Sequence, residues 1–235
     1  MLLAGAVAAE SLPSTPPVAA PPVVPALACP ARQARIRLSV VDPEPRHSTE
    51  LGIEALHAAT GEARSPMQHH LALTTSRVEW RSELGARTTI GRGEAPQVCA
   101  VPDRVTLTLV QSEHLVRIAR EIAPESCLFR EVAAHEARHV AVNRRTLRTA
   151  AIQARGGAQA WASGAEGRGK TEAEAMAAMQ HSLRRAIEPS LAAMRANRDA
   201  AHRAIDTPAE YRRLGQVCRA DQQALRTKLQ ALSAD

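Results

Sequence analysis

His135-Glu136-Ala137-Arg138-His139 places two imidazoles and a carboxylate at HExxH spacing. On an α-helix, residues four apart share a face. His135 and His139 can therefore turn two ring nitrogens to one metal ion, with Glu136 beside the open coordination position. Zinc suits such donors, because it accepts neutral imidazole, takes four ligands and brings the pKa of a bound water to about 7. Glu136 would take a proton from that water and pass it to a leaving group. In a chain with 9 His among 235 residues, HExxH arises by chance in roughly one sequence in fifty. The alternative is a solvated helix face, so the elements around the motif have to decide.

The helix that carries it is the best-defined element of the sequence. From Ser126 to Gln153, the residues Leu128, Val132, His135, His139, Val142 and Thr146 step by three or four and form one stripe, which turns both histidines to the covered side. Ala133, Ala134, Ala137 and Ala141 keep the surroundings small, and Gly156-Gly157 is the expected stop. Residues 156–170 read as a Gly-rich loop, and a second helix is predicted from Thr171 to Ile205, with Thr171 and Glu174 as a capping box and Pro189 as a kink. A turn at Asp206-Thr207-Pro208 leads into a last helix over 209–232.

A catalytic zinc site ordinarily has three protein ligands and a water. The HExxHxxGxxH extension is absent, since Val142 and Arg145 stand where its Gly and third His would be. A third ligand must come from downstream, among Glu166, Glu172, Glu174, His181, Glu188, His202, Asp206 and Glu210. Glu172 and Glu174 are explained as negative charges at a helix N-terminus. The stretch His202 to Tyr211 is richer: it gathers His202, Asp206, Glu210 and the single Tyr of the chain where one helix gives way to the next. A tyrosine there can donate to a developing oxyanion.

Ahead of the helix the pattern is that of strands. Arg35 to Val41 alternates and ends at Asp42-Pro43-Glu44-Pro45; residues 48–59 form a short helix. Residues 71–80 and 88–90 read as two strands joined by a turn at Gly85. Residues 104–110 form another, paired in a hairpin with Leu115 to Ile122, which Pro124 follows. The expected fold is α+β: an N-terminal antiparallel sheet packed on the long HExxH-bearing helix and a C-terminal helical half.

Composition bounds the compartment and the partners. The chain is 45% apolar but only 2% aromatic, so its core must be built of small aliphatic side chains and gains from covalent or metal support. Cys29, Cys99, Cys127 and Cys218 form no CxxC and are even in number, which fits two disulfides in an oxidising compartment, with three connectivities available. Cys99 with Cys127 and Cys29 with Cys218 is the expected pairing; four buried free thiols are the alternative. Residues 1–9, MLLAGAVAA, resemble the end of a secretory signal without its basic region, and 10–30 form a Pro/Ala-rich linker. A single domain is expected over 31–235, in a periplasmic or secreted protein. Nowhere do about 18 apolar residues run together, so no membrane span is expected. The net charge of +6 is spread along the chain, and with so few aromatics to stack on bases no nucleic-acid partner is expected.

The HEARH segment resembles the zincin metallopeptidases. The wider layout is similar to a bacterial family of secreted proteins of unknown function described as zinc-dependent proteases: a strand-rich N-terminal half with Cys99 ahead of a strand, HExxH on the following helix, and a distal Asp motif. That family's distal pattern resembles YDxxTxHG, and the stretch matching it here is Ile205-Asp206 followed by Glu210-Tyr211. The Asp carries over and the His does not. The third ligand is thus Asp206 by direct match, Glu210 by position or His202 by chemistry, with one of Asp206 and Glu210 expected. The resemblance implies a zinc (Zn2+) metallopeptidase with Glu136 as general base; the expected substrate is an extended peptide or protein segment along a sheet edge, since an added strand satisfies its backbone groups. A non-catalytic envelope protein with a structural or vestigial zinc is the other reading of the same residues.

Overall fold

A computed structural model describes residues 27–61, 70–91 and 97–232. The leader and most of the linker read from the sequence lie outside them. Strand β4 (Gln97–Ile118) is the axis of the sheet. Val105, Leu107, Leu109 and Gln111 are buried along it, and then the phase changes, so that His114, Val116 and Ile118 are buried instead. The change coincides with a register shift against β3 (Ala72–Gly91): Val78 faces Gln111 and Arg77 faces Glu113, leaving Ser112 without a counterpart. Such a bulge adds one residue without ending the strand and keeps the apolar set on one face. The hairpin expected between 104–110 and 115–122 is therefore one strand. Likewise β3 runs through Gly85, where a second register shift replaces the expected turn.

Antiparallel β3 takes one edge of β4 along its whole length. The other edge is shared by β5 (Gly167–Gly169), β1 (Arg35–Val41) and β2 (Arg46–Ser48). Both β1 and β2 are parallel to β4 in a common register, Val41 facing Val110 and Arg46 facing Leu115, an offset of 69 each time (110 − 41 and 115 − 46). They form one line broken at Asp42-Pro43-Glu44-Pro45, where two prolines have no N–H to give a ladder. The class is α+β, and the five-stranded sheet is mixed rather than antiparallel throughout.

Among the described residues, five helices follow the expected plan with three differences. Helix α1 spans Ile53–Thr60, α2 Cys127–Gly164, α3 Glu172–Ile205, α4 Pro208–Gln216 and α5 Arg219–Leu232. First, α2 does not stop at Gly156-Gly157. A Cβ on Gly157 would lie 3.0 Å from the Ala186 carbonyl oxygen, so this glycine lets α2 and α3 pack closely. Second, the loop expected over 156–170 is mostly helix and the short strand β5. Third, the last helix is broken at Val217-Cys218, where Cys218 takes a φ of 55°.

The disulfides are Cys29–Cys99 and Cys127–Cys218, not the expected Cys99–Cys127 and Cys29–Cys218. Because β4 is a single strand, about 60 Å of extended chain separates Cys99 from its far end, and Cys127 follows that end. No helix among the described residues is long and apolar enough to cross a membrane.

Two apolar clusters make up most of the core. In one, Val105, Leu107 and Leu109 meet the C-terminal half of α2, through Leu147, Ala150 and Ala154, and α3, through Leu183, Ile187 and Leu191. The other gathers Ile53 and Leu56 of α1, Val116 and Ile118 of β4, Leu128 and Val132 of α2, and Leu225 of α5. Between them α2 carries a buried polar stretch: His135, Glu136, His139, Asn143 and Thr146.

Candidate metal centre

The start of the site helix is held by capping. Ser126 receives the Phe129 N–H at the start of α2, and Asp221 of α5 receives the Leu128 N–H. Both interactions satisfy amides that have no partner within the helix. Two turns on, His135, Glu136 and His139 are 5%, 5% and 7% exposed, which withdraws all three from bulk water. They form a buried group able to hold a metal ion.

Asp206 ends α3, and the chain reverses at once: the Thr207 hydroxyl accepts from the Glu210 N–H, and Pro208 occupies the first turn of α4. This turn sets Asp206 Oδ1 3.1 Å from His135 Nε2 and 3.1 Å from His139 Nε2, while the two nitrogens are 3.1 Å apart. Two atoms bound to one tetrahedral zinc at about 2.0–2.1 Å would be about 3.3 Å apart. Three lone-pair donors converging at nearly that spacing are a donor set of the right kind and size for an ion.

The backs of both imidazoles are engaged. His139 Nδ1 is 2.7 Å from His202 Nδ1, and His202 Nε2 is 3.0 Å from Asn143 Oδ1. His135 Nδ1 faces Glu210 Oε1 at 3.4 Å and Arg138 Nη2 at 2.8 Å, and that guanidinium also pairs with Glu210. With a metal on Nε2, His135 Nδ1 must carry the proton. Glu210 is then its acceptor, and Arg138 serves the carboxylate rather than the ring. Arg213 adds a second positive partner to Glu210 and ties it to Glu131.

These contacts set the charge states. The His135 and His139 imidazoles outweigh the burial of Asp206 and hold its carboxyl well below the usual carboxylate range. Burial pushes His135 toward its neutral form, yet Asp206, Glu136 and Glu210 together raise its pKa. Glu136 is raised by burial, against the hydrogen bond that Thr74 Oγ1 donates to its Oε2 at 2.6 Å. Arg213, with help from Arg138, brings Glu210 down to about 2. His202 falls to about 4, through burial and the neighbouring His139 and Arg198.

Asp206 thus takes the place next to both ring nitrogens, and Glu210 stands one shell behind His135. His202 backs His139. The other downstream acids are committed elsewhere: Glu166 pairs with Arg32 and Arg168, Glu172 accepts from Thr88, Glu174 accepts from the Lys170 N–H, and Glu188 pairs with Arg195.

Thr74, Arg138 and Asn143 were not singled out from the sequence. Asn143 carried a signal, since 135, 139 and 143 share one helix face. Thr74 carried none, because only the pairing of β3 brings it to α2. A cleft of about 690 Å³ opens on the site; His135, Glu136, His139, His202, Asp206 and Tyr211 lie along it. Comparison with protein-family models, with curated proteins and with solved structures finds no match to this chain.

Proposed function

We propose that the chain is an exported zinc-dependent peptidase, with His135, His139 and Asp206 as the metal ligands and Glu136 as the general base. The observation that carries this reading is the 3.1 Å triangle of His135 Nε2, His139 Nε2 and Asp206 Oδ1 at the floor of an open cleft. Three protein ligands with space beside them suit a catalytic site, whereas structural zinc sites are closed by four. Zinc, when bound, supplies Lewis acidity toward a carbonyl and makes water more acidic.

The protein's own groups supply the rest. Glu136 takes a proton from the attacking water and gives it to the amide nitrogen as the C–N bond breaks. Burial raises its pKa, which makes it a stronger base than an exposed carboxylate. The Thr74 hydroxyl occupies Oε2 and so holds the carboxylate in one orientation, with Oε1 left for the proton. The Tyr211 ring, 6.3 Å from that of His135, borders the cleft where an oxyanion donor is useful.

An extended peptide fits the wall opposite α2. Residues 71–75 line the cleft without a gap. Alternate side chains of a strand point to opposite faces, so consecutive lining residues present the strand's edge. Among the described residues β3 pairs only with β4, which leaves that edge able to take an added strand. Export accords with the two disulfides. The deciding experiment is hydrolysis of unfolded protein by zinc-loaded wild type and by Glu136→Gln: the wild type cleaves and the variant binds zinc without cleaving. Equal cleavage by both would sink the mechanism.

A further inference from the structure

The cleft has two chemically different ends. One holds the His, Glu and Asp groups described above. The other is lined mainly by Leu71, Leu73, Val132, Leu214, Leu225 and Leu229, with Gln222 and Arg226 of α5 beside them. Val132, Leu214 and Leu225 are buried and the other three leucines are half-buried, so an apolar surface from the start of β3 and from α2, α4 and α5 faces one space. Val132 lies four residues before Glu136 on the same face of α2, about 5–6 Å along the helix axis. An extended chain advances about 3.3 Å per residue, which places this apolar end within two residues of a bond presented to Glu136.

Resting on the peptidase reading, we infer that this end is a specificity subsite that receives one large apolar side chain, of the size of Leu, Met or Phe, within two residues of the cleaved bond. A charged or small side chain there would leave the leucine-lined space unfilled or wet. Discrimination between a large aliphatic side chain and Ala in such a pocket is worth about 10- to 100-fold in kcat/KM. Leu71 and Leu73 come from the same stretch that offers its edge to the peptide backbone, so one segment would both align the substrate and read its side chain.

The test is digestion of a randomised peptide library by the zinc-loaded full chain, with cleavage positions mapped by mass spectrometry. The expected result is enrichment of Leu, Met and Phe at one fixed position within two residues of the bond, and a kcat/KM at least about tenfold higher for a Leu than for an Ala peptide at that position. Leu229→Arg and, separately, Leu73→Arg should each bring that ratio toward one; the second variant guards against a fold defect in the first. Cleavage without apolar enrichment, or an unchanged ratio in both variants once their folding is confirmed, overturns the subsite while leaving the peptidase reading intact. Absence of any cleavage overturns both.

Discussion

Nδ1 of His139 lies 2.7 Å from Nδ1 of His202, and the far nitrogen of His202 meets Asn143 Oδ1 at 3.0 Å. The order of protons follows. Asn143 presents an acceptor, so His202 Nε2 carries hydrogen and His202 Nδ1 has a lone pair. His139 Nδ1–H donates to it, and His139 Nε2 is left unprotonated toward Asp206 and His135. A His202 pKa near 4 keeps that ring neutral at pH 7, as the relay requires. Arg198, buried and bonded to the Asn143 carbonyl and to Thr146, braces the far end.

His202 is therefore expected to position a ligand rather than to be one. His202→Phe should weaken zinc binding about 10- to 100-fold, the usual cost of losing the partner of a metal-bound histidine. His202→Gln, which can still accept from Nδ1–H, should recover part of that loss. Competition with a chromophoric chelator measures both. A cobalt-substituted protein whose visible spectrum is the same in wild type and His202→Gln would confirm that the coordination set is unchanged.

Asp206 and Glu210 separate by the same assay. Asp206→Ala removes a proposed ligand and should abolish stoichiometric zinc, read by elemental analysis after gel filtration. Glu210→Gln removes the charged partner of His135 Nδ1 and should cost about 10- to 100-fold in affinity while retaining stoichiometric zinc at saturating metal. The reverse order of effects would exchange their roles.

Glu136→Gln should bind zinc as wild type does and lower kcat by at least about 10² to 10⁴, the contribution of a positioned general base. Thr74→Val leaves Glu136 in place without its hydroxyl partner. A smaller fall in kcat, with KM nearly unchanged, is expected in steady-state peptide hydrolysis.

Glu210 also predicts an acid dependence. Its folded pKa is near 2, below the usual carboxylate value of about 4.3. A depressed folded pKa contributes stability that is complete above the unfolded value and is lost as pH falls toward the folded one. The stability difference between wild type and Glu210→Gln should thus be constant above about pH 5, shrink between about pH 4 and 2, and vanish below. Denaturant melts at fixed salt would show it; a difference that grows as pH falls would contradict the assignment.

Cys127–Cys218 joins the first residue of the site helix to the α4–α5 junction, so it ties down the helices that carry Glu210 and the cleft-lining Tyr211 and Leu225. Replacing both cysteines with Ser should lower unfolding stability by about 2–4 kcal/mol and weaken zinc binding as well. The corresponding Cys29 and Cys99 double variant, remote from the cleft, should affect stability without changing affinity for the metal.

What the sequence by itself determined was local. Four-residue spacing put His135 and His139 on one face, and the apolar stripe from Leu128 to Thr146 turned that face inward. Thr171 and Thr207-Pro208 marked helix starts that capping chemistry requires. Longer-range relationships were not legible in it. A bulge at Ser112 shifts burial by one residue, and in sequence that shift has the same pattern as a turn, so β4 read as a hairpin. That error carried into the cysteine pairing, because a folded-back strand would have brought Cys99 near Cys127 whereas a continuous one keeps them apart. The ranking of Asp206, Glu210 and His202 needed tertiary structure, since all three lie on the correct stretch and only the sharp α3–α4 reversal decides which oxygen reaches Nε2. Thr74 had no sequence signal at all: its hydrogen bond to Glu136 exists because β4 holds β3 against α2.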